Sequence, residues 1–225
     1  MRIRLRPGGA SSFDVASTTW RDASSSRRRH EPRRRPMIEI ESKMRVASIE
    51  PVIAALRRLG AVEGPRIEEV NWFFDRPDRS MRQAGEGLRI RSETHSDRDA
   101  PLIVVTHKGP RAAGPLKVRA ETEMRVDDAE GARSMLEALG FVRTLQFEKR
   151  RHRWRYDDCL VELDTLPHLG EFVEVEGPGE QIVQDVCGRL GLDEPQVTDS
   201  YAELIDHWLI DQGITESDEK ILRFP

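Results

Sequence analysis

Cysteine and long apolar runs are what this 225-residue sequence has least of. The two cysteines, Cys159 and Cys187, lack the spacing of metal ligands, and so few thiols argue against a disulfide scaffold and favour a reducing compartment. No apolar run approaches the length of a membrane span, and no apolar segment follows the N-terminal arginines as it would in a secretory signal. We therefore expect a soluble, cytoplasmic protein with no membrane partner.

The familiar catalytic motifs are also missing. The sequence has no glycine-rich phosphate-binding loop, no Gly-x-Ser-x-Gly turn and no convincing Cys–His pair. Its six histidines are scattered, so we predict no zinc site and assign no histidine a catalytic role. The chemistry is therefore sought among the charged residues, which make up 34% of the chain.

Charge is divided unevenly along the chain. Residues 1–36 carry ten arginines against Asp14, Asp22 and Glu31, a net charge of +7, whereas the remaining residues are 26 basic and 37 acidic, a net charge of −11. The first segment has little apolar content and is predicted to be a disordered extension. It is either an extension upstream of a true start at Met37, which we favour, or an arm that contacts nucleic acid.

Residue periodicity predicts an α+β domain over 37–211, followed by a tail over 212–225 with no clear pattern. Helices are predicted at 48–59 with Ser48 as N-cap, from Asp127 or Asp128 to 139, and at about 179–190 and 199–211. Strands are predicted at 39–43, 66–75, 86–92, 101–108, 119–126, 146–156, 159–165 and 171–177. Eight strands in mostly antiparallel order are enough to close a β-barrel, with the helices packed outside it.

The second half of this region repeats the first at an offset of 80 residues. The Met-Arg-Val triplet 44–46 matches 124–126, and the Leu-Gly pair 59–60 matches 139–140. Such self-similarity predicts two strand–helix–strand halves related by a pseudo-twofold axis.

Charged side chains of both signs alternate along the predicted strands. A single Glu-x-Glu-x-Lys strand such as 39–43 is most often an antiparallel strand with one wet face. Here the later strands repeat the pattern, and few of their alternating positions carry the Thr, Ser or Gln of an ordinary wet surface. The set is Glu39, Glu41, Lys43, Arg89, Arg91, Thr106, Lys108, Arg119, Glu121, Glu123, Lys149, Arg151, Arg153, Glu162, Asp164, Glu174 and Glu176.

A shared interior explains this pattern better than independent wet faces do. Burying an ionised side chain costs several kcal/mol unless it is paired, so a mixed-charge interior is tolerable mainly when a highly charged ligand completes it. Arginine and lysine bind phosphoryl oxygens, and carboxylates select Mg²⁺ or Mn²⁺. The pattern therefore predicts a site for a polyanion and a divalent metal.

Nine short motifs follow one another from about residue 37 to 207. They are Glu39-Ile-Glu-Ser-Lys43, Phe74-Asp-Arg-Pro77, Leu88-Arg-Ile-Arg91, Thr106-His-Lys-Gly-Pro110, Arg119-Ala-Glu-Thr-Glu123, Lys149-Arg-Arg151, Glu162-Leu-Asp164, Gly170-Glu-Phe-Val-Glu-Val-Glu176 and Asp199-Ser-Tyr-Ala-Glu-Leu204. In this order they resemble the CYTH superfamily of triphosphate tunnel enzymes, which includes class IV adenylyl cyclases, thiamine triphosphatases and tripolyphosphatases. The spacing looks closest to members labelled class IV adenylyl cyclase.

The resemblance implies an eight-stranded antiparallel tunnel that holds a triphosphate and Mg²⁺ or Mn²⁺. The phosphate-binding residues it implies are Lys43, Arg89, Arg91, Lys108, Arg119, Lys149 and Arg151. The metal set it implies is Glu39, Glu41, Glu121, Glu123, Glu162, Asp164, Glu174 and Glu176, with Glu39, Glu41, Glu174 and Glu176 nearest the ions. We assign the catalytic role to Glu39, Glu41 and Lys43.

By this resemblance the protein is a metal-dependent enzyme that acts on a small-molecule triphosphate. It is expected either to hydrolyse tripolyphosphate or thiamine triphosphate, or to convert ATP into cyclic AMP and pyrophosphate. Some cyclase members carry a His-Phe pair shortly before the first glutamate, whereas residues 35–38 here are Arg-Pro-Met-Ile, which tilts the expectation toward hydrolysis. A non-catalytic sensor of polyphosphate or nucleotide stays open as an alternative, as does a homodimer, and no nucleic-acid partner is expected.

Overall fold

The computed structural model describes residues 40–110, 120–214 and 220–225, which all belong to the unit Pro36–Pro225. The predictions for residues 1–36, Glu39 and Arg119 lie outside the described residues. In chain order the elements are β1 Ile40–Val46, α1 Glu50–Arg58, β2 Val62–Asp75, α2 Ser80–Gln83, β3 Gly87–His95, β4 Leu102–Lys108, β5 Glu121–Val126, α3 Ala129–Ala138, β6 Val142–Tyr156, β7 Cys159–Leu166, β8 Gly170–Gly177, α4 Glu180–Leu190, α5 Tyr201–Asp211 and β9 Ile221–Leu222.

The eight predicted strands form one antiparallel sheet in the order β1-β8-β7-β6-β2-β3-β4-β5. The sequence predicts that this sheet closes into a barrel, and that closure is not observed. Within the described residues, β1 and β5 are the two edges of the sheet, and no ladder joins them. The structure therefore confirms the α+β class and the antiparallel order, and closure into a barrel stays a prediction.

The order of the elements repeats along the chain as the sequence predicts, while the pseudo-twofold axis stays a prediction. Residues 40–108 run strand, helix and three further strands, with the short α2 inserted, and residues 121–177 run strand, helix and three strands again. The halves meet where β2 pairs with β6, and each half gives its first strand to the other, because β1 pairs with β8 and β5 pairs with β4. The sheet is therefore one unit built from both halves.

Helix ends follow local side-chain chemistry, with one shift from expectation. Asp128 caps α3 as predicted, because its side chain accepts the backbone N–H of Glu130. The N-cap of α1 is Ile49 rather than Ser48, although the Ser48 hydroxyl still accepts the N–H of Glu50 at 3.2 Å. The N-terminus of α5 has a full capping box, formed by Ser200 and Glu203.

The helices divide between the two faces of the sheet. The outer face carries α1 and α4 over one apolar cluster and α3 over another, through buried residues such as Leu56, Val183 and Leu136. Helix α5 differs from the prediction that all helices lie outside, because it packs through Tyr201 and Ile205 on a third cluster. That cluster contains Leu145, Phe147, Leu166 and Phe172, with Phe73 packed against it.

The third cluster lies on the same face as the charged residues. Directly paired residues of antiparallel neighbours point to one face of a sheet. Phe73 pairs with Arg89, and Phe172 pairs with Asp164, so these aromatic rings continue the charged inner face toward one end. Apolar side chains at that end give α5 a surface to bury, which explains why this helix covers the inner face.

Residues 220–225 pack against the sheet, although the sequence of the C-terminal tail predicts no helix or strand. β9 pairs in parallel with β6, and the backbone carbonyl of Lys220 accepts the N–H of Gln146 at 2.8 Å. The Phe224 N–H donates to Glu148 at 3.0 Å. Within the described residues, no helix has the length and apolar content needed to cross a membrane.

Candidate functional site

Arg151 on β6 is the centre of the charged inner face. Its Nε and Nη2 lie 2.7 and 2.5 Å from the two carboxylate oxygens of Asp164, and Nη2 also lies 2.6 Å from Glu174. Its Nη1 pairs with Glu162, which in turn accepts Arg153 Nε at 2.7 Å. Arg151 and its three carboxylate partners are buried and Arg153 is half-buried, so the predicted alternation of charges on β6, β7 and β8 does bring them together on one face.

Two buried lysines flank this arginine. Lys43 Nζ lies 3.2 Å from Glu174 and 3.7 Å from Glu41, and it donates to the backbone carbonyl of Asp199 at 3.1 Å. Lys149 Nζ lies 3.2 Å from Asp164. Both ammonium groups lie over the ring of Tyr201, at 4.3 and 5.1 Å from its centroid, so the first turn of α5 contacts the charged cluster directly.

The first half of the chain supplies a second group of cations, on β3 and β4. Arg91 Nε lies 2.8 Å from Glu93, and Lys108 Nζ lies 2.5 Å from Glu121. Glu123 accepts the hydroxyl of fully buried Thr106 at 2.9 Å. The predicted residues of β3, β4 and β5 therefore also lie on one face and pair with one another.

Arg89 is the exception among these cations, because within the described residues it has no ion pair comparable to those of Arg91 and Lys108. Its Nε, like that of Arg91, is buried and has no hydrogen-bond partner in that part of the chain. Burial lowers the pKa of Arg89 to about 10, and the adjacent charge of Arg91 adds to this effect, which Glu69, Glu123 and Glu121 only partly offset. The guanidinium is therefore positioned for an anion that the described part of the chain does not provide.

Sequence reasoning missed four buried polar residues of β2 and β3. Glu69 and Glu93 pair directly across the two strands, with 1% and 2% of their surface exposed. Asn71 donates to Glu69 at 3.4 Å, and His95 Nε2 lies 2.8 Å from Glu93. Strand parity could have found them, since Glu93 and His95 continue the alternation of Arg89 and Arg91, but the strand was predicted to end at residue 92.

Glu69 and Asp164 remain ionised despite their burial. Burial alone would raise the pKa of Glu69, but Lys149, Arg151 and Arg91 outweigh it and lower the pKa from its ordinary value of 4.5 to about 2. The Asp164 carboxyl behaves in the same way, because Arg151 and Lys149 hold its pKa well below the usual range against the effect of burial. Both carboxylates are therefore negatively charged partners of these cations at neutral pH.

Known proteins share the sequence features that build this site. The sequence matches the CYTH domain over residues 37–186, which is more than half of the chain. The chain belongs to the CYTH domain family. This CYTH chain is 31% identical over 140 residues to MJ0240 of Methanocaldococcus jannaschii, a proposed adenylate cyclase, covering 62% of this chain and 77% of that protein.

Two further proteins extend the likeness over most of the CYTH chain. The adenylate cyclase CyaB of Aeromonas hydrophila is 29% identical over 198 residues, covering 81% of this chain and 94% of that one. The solved structure of protein PH1012 from Pyrococcus horikoshii has a TM-score of 0.62 and 28% identity, over 74% of this chain and 98% of that one. The resemblance read from the motifs is thereby confirmed.

The carboxylates of this CYTH domain do not all have the same surroundings. Glu162, Asp164 and Glu174 pair with Arg151, and Glu121 with Lys108, whereas Glu41 lies 3.7 Å from Lys43 Nζ and directly opposite Glu176 across β1 and β8. All-oxygen donors suit Mg²⁺ and Mn²⁺, so these two neighbouring carboxylates are of the kind that such a cation binds. Within residues 40–110, 120–214 and 220–225, no three Asp, Glu, His or Cys side chains are arranged to hold a metal ion, and Glu39 lies outside those ranges.

Proposed function

We propose that this CYTH chain is a metal-dependent enzyme that hydrolyses a small-molecule triphosphate bound on the charged inner face of its sheet. The observation that carries the proposal is Arg89, a half-buried arginine beside Arg91 that has no ion pair within the described residues and whose buried Nε has no hydrogen-bond partner there. A phosphoryl group supplies the planar, bidentate oxygen pair that a guanidinium binds best. A triphosphate spans several such sites, which suits the cations that β1, β3, β4 and β6 place on the inner face.

The cations of the inner face would bind the phosphates. In this proposal Arg89, Arg91 and Lys108 hold one end of the triphosphate, and Lys43, Lys149 and Arg151 hold the other, with Arg119 in the predicted phosphate-binding set. Binding exchanges the present carboxylate partners of the lysines for phosphoryl oxygens. Closure of the sheet between β1 and β5 into a tunnel is part of the proposal, because a ligand that contacts both halves would draw these two edges together.

The metal ligands we propose are Glu39, Glu41, Glu174 and Glu176. A bound Mg²⁺ or Mn²⁺ would offset the charge of the phosphoryl oxygens. Glu121, Glu123, Glu162 and Asp164 complete the predicted acidic set, and their role in this proposal is to orient the cations that they already contact. For Asp164 the support is its paired contact with Arg151, which fixes the plane of the guanidinium.

Hydrolysis and cyclisation use the same phosphate site with different nucleophiles. In hydrolysis, water attacks the terminal phosphorus, the bond from that phosphorus to the bridging oxygen breaks, and the diphosphate part of the substrate departs as the leaving group. Orthophosphate and a proton are the other products. In cyclisation, the ribose 3′-hydroxyl of ATP attacks the α-phosphorus and pyrophosphate leaves. Cyclisation is the second candidate, because both curated relatives described above are named as adenylate cyclases, one of them as a proposal.

The decisive experiment is a product analysis with the full chain. Purified protein is incubated with tripolyphosphate, thiamine triphosphate or ATP, each with Mg²⁺ or Mn²⁺, and orthophosphate, pyrophosphate and cyclic AMP are measured. Orthophosphate, lost in an Arg89→Met variant that melts at the wild-type temperature, supports the proposal. Cyclic AMP with equimolar pyrophosphate would identify a cyclase, and binding without any product would identify a sensor. A protein that neither binds nor converts any of the three would refute the triphosphate site.

A further inference from the structure

Tyr201, the first residue of α5, brings its ring against two cations of the inner face. Lys43 Nζ lies 4.3 Å from the ring centroid, and Lys149 Nζ lies 5.1 Å from it. The two lysines belong to β1 and β6, which are separated in the sheet by β8 and β7. Because β1 and β6 are not neighbours, strand pairing does not directly set the spacing of the two ammonium groups. A shared contact with one aromatic ring does.

The ring of Tyr201 is itself held firmly. Just before it, Ser200 and Glu203 form the capping box that starts α5, in which the Ser200 N–H donates to the Glu203 carboxylate at 2.7 Å. The Tyr201 ring meets the ring of Phe172 edge-on, with 5.3 Å between centroids and 75° between planes. Only 8% of the tyrosine is exposed. Its position is therefore set by the fold and needs no ligand.

The ring differs from the other partners of the lysines because it carries no charge. Burial raises the pKa of Tyr201 well above its usual range, and the nearby carboxylates of Asp164 and Glu174 add to this effect, so the phenol stays neutral. An aromatic face attracts an ammonium group without competing for it as a carboxylate does. The N–H groups of Lys43 and Lys149 are then left to oxygen acceptors, of which an ammonium can serve three.

We propose that Tyr201 is a positioning residue of the phosphate site, which holds the ammonium groups of Lys43 and Lys149 at a spacing that suits one triphosphate. The inference rests on the proposed function, because it needs phosphoryl oxygens at these lysines. Binding exchanges the carboxylate partners of both lysines, whereas the ring contact stays in place. Lysine side chains are flexible, so ordering them before binding reduces the entropy that is lost when the ligand is bound.

The test removes the ring and measures the binding of inorganic tripolyphosphate. Tyr201→Leu keeps an apolar side chain but loses the aromatic face. The matched control is Tyr156→Leu, because the ring of Tyr156 also contacts a cation, Arg189 at 5.9 Å, but packs on the outer apolar cluster. The KM and kcat are measured by phosphate release with Mg²⁺, or the Kd by calorimetry if the chain binds without turnover.

We expect Tyr201→Leu to raise the KM or Kd roughly tenfold, about 1.4 kcal/mol, and to lower kcat by less. Tyr156→Leu should leave these constants at their wild-type values. Tyr201→Phe, which keeps the ring, should restore most of the affinity. In a Lys43→Met background the effect of Tyr201→Leu should shrink, because one of the two contacts is already gone. Unchanged binding in Tyr201→Leu, an equal loss in Tyr201→Phe, or full additivity with Lys43→Met would overturn the assignment.

A spectroscopic measurement tests the same contact even where Tyr201→Leu does not fold. In the NMR spectrum of the wild-type chain, the ring current of Tyr201 should move the ε-methylene protons of Lys43 and Lys149 upfield, and the Tyr201→Phe spectrum should show the same shift. Lysine signals at ordinary positions in both spectra would overturn the ring contact while leaving the phosphate site standing. Failure of the wild-type chain to bind tripolyphosphate at all is the separate outcome that refutes the proposed function.

Discussion

Replacing Glu69 by glutamine tests whether the buried charges of the inner face stabilise the fold as described. Glu69 lies 3.3 Å from Lys149 Nζ and 3.8 Å from Arg151 Nε, and 1% of its surface is exposed. Its pKa of about 2, against an ordinary value of 4.5, corresponds to about 3 kcal/mol of stability at neutral pH. Glutamine keeps the shape and one oxygen acceptor but removes the charge, so we expect Glu69→Gln to lose about that amount.

The contribution of Glu69 to the free energy of unfolding should depend on pH, in a direction set by its lowered pKa. Because the pKa is lower in the folded chain, the unfolded chain takes up the proton first, and the stabilisation is present above pH 4.5 and lost as the pH falls toward 2. About 2 of the 3 kcal/mol should be gone by pH 3. The difference between wild type and Glu69→Gln should therefore shrink from about 3 kcal/mol at pH 7 to about 1 kcal/mol at pH 3.

Urea unfolding at a series of pH values measures this difference. The matched control is Glu68→Gln on the opposite face of the same strand, where the carboxylate is 75% exposed and lies 3.7 Å from Arg150. An exposed pair of this kind contributes about 0 to 1 kcal/mol. If the destabilisation of Glu69→Gln were the same at pH 7 and pH 3, the charge interactions would not be its cause, and the reasoning would be wrong.

Three further predictions concern single contacts. Lys43→Met should raise the KM for tripolyphosphate and lower kcat in a phosphate-release assay, because a phosphate ligand is lost, and an unchanged KM would contradict the assignment. Glu93→Gln should raise the KM mainly, since Arg91 loses the carboxylate 2.8 Å away that positions it, and a loss of kcat alone would argue against positioning. Asp128→Ala should lower the free energy of unfolding by about 1 kcal/mol in urea, because the cap to Glu130 is lost, whereas Asp128→Asn should retain most of it.

The strands and the charged face were predictable because alternation is a local signal. Glu162, Asp164 and Glu174 were placed on one face by parity, and each contacts the same arginine in the structure. The internal repeat was predictable for the same reason, since the Met-Arg-Val and Leu-Gly matches recur at a fixed offset. The sequence therefore predicted which charged residues lie together on the inner face of the sheet.

The position of α5 and the ends of the sheet were not predictable in this way. The apolar periodicity of α5 indicates a buried side but not which surface covers it, and in the structure that surface is the third cluster, against which Phe73 packs. Glu93 and His95 were missed because β3 runs three residues beyond its predicted end at residue 92. Whether β1 meets β5 depends on sheet curvature, which alternation does not encode.

The exchange of first strands between the two halves has a consequence for how the chain folds. Ile40 at the start of β1 pairs with Gly177 at the end of β8, so this strand finds its partner only after almost the whole domain has been synthesised. Contacts between residues so distant in sequence slow folding, since a large loop must close before they form. During translation β1 cannot pair until β8 has been synthesised. In contrast, β2, β3 and β4 are consecutive strands that can pair as an antiparallel meander as soon as they have been made. A chain truncated before β8 would leave β1, which carries Lys43, without its neighbouring strand. In limited proteolysis of such truncated chains, we expect β1 to be cleaved before the other strands.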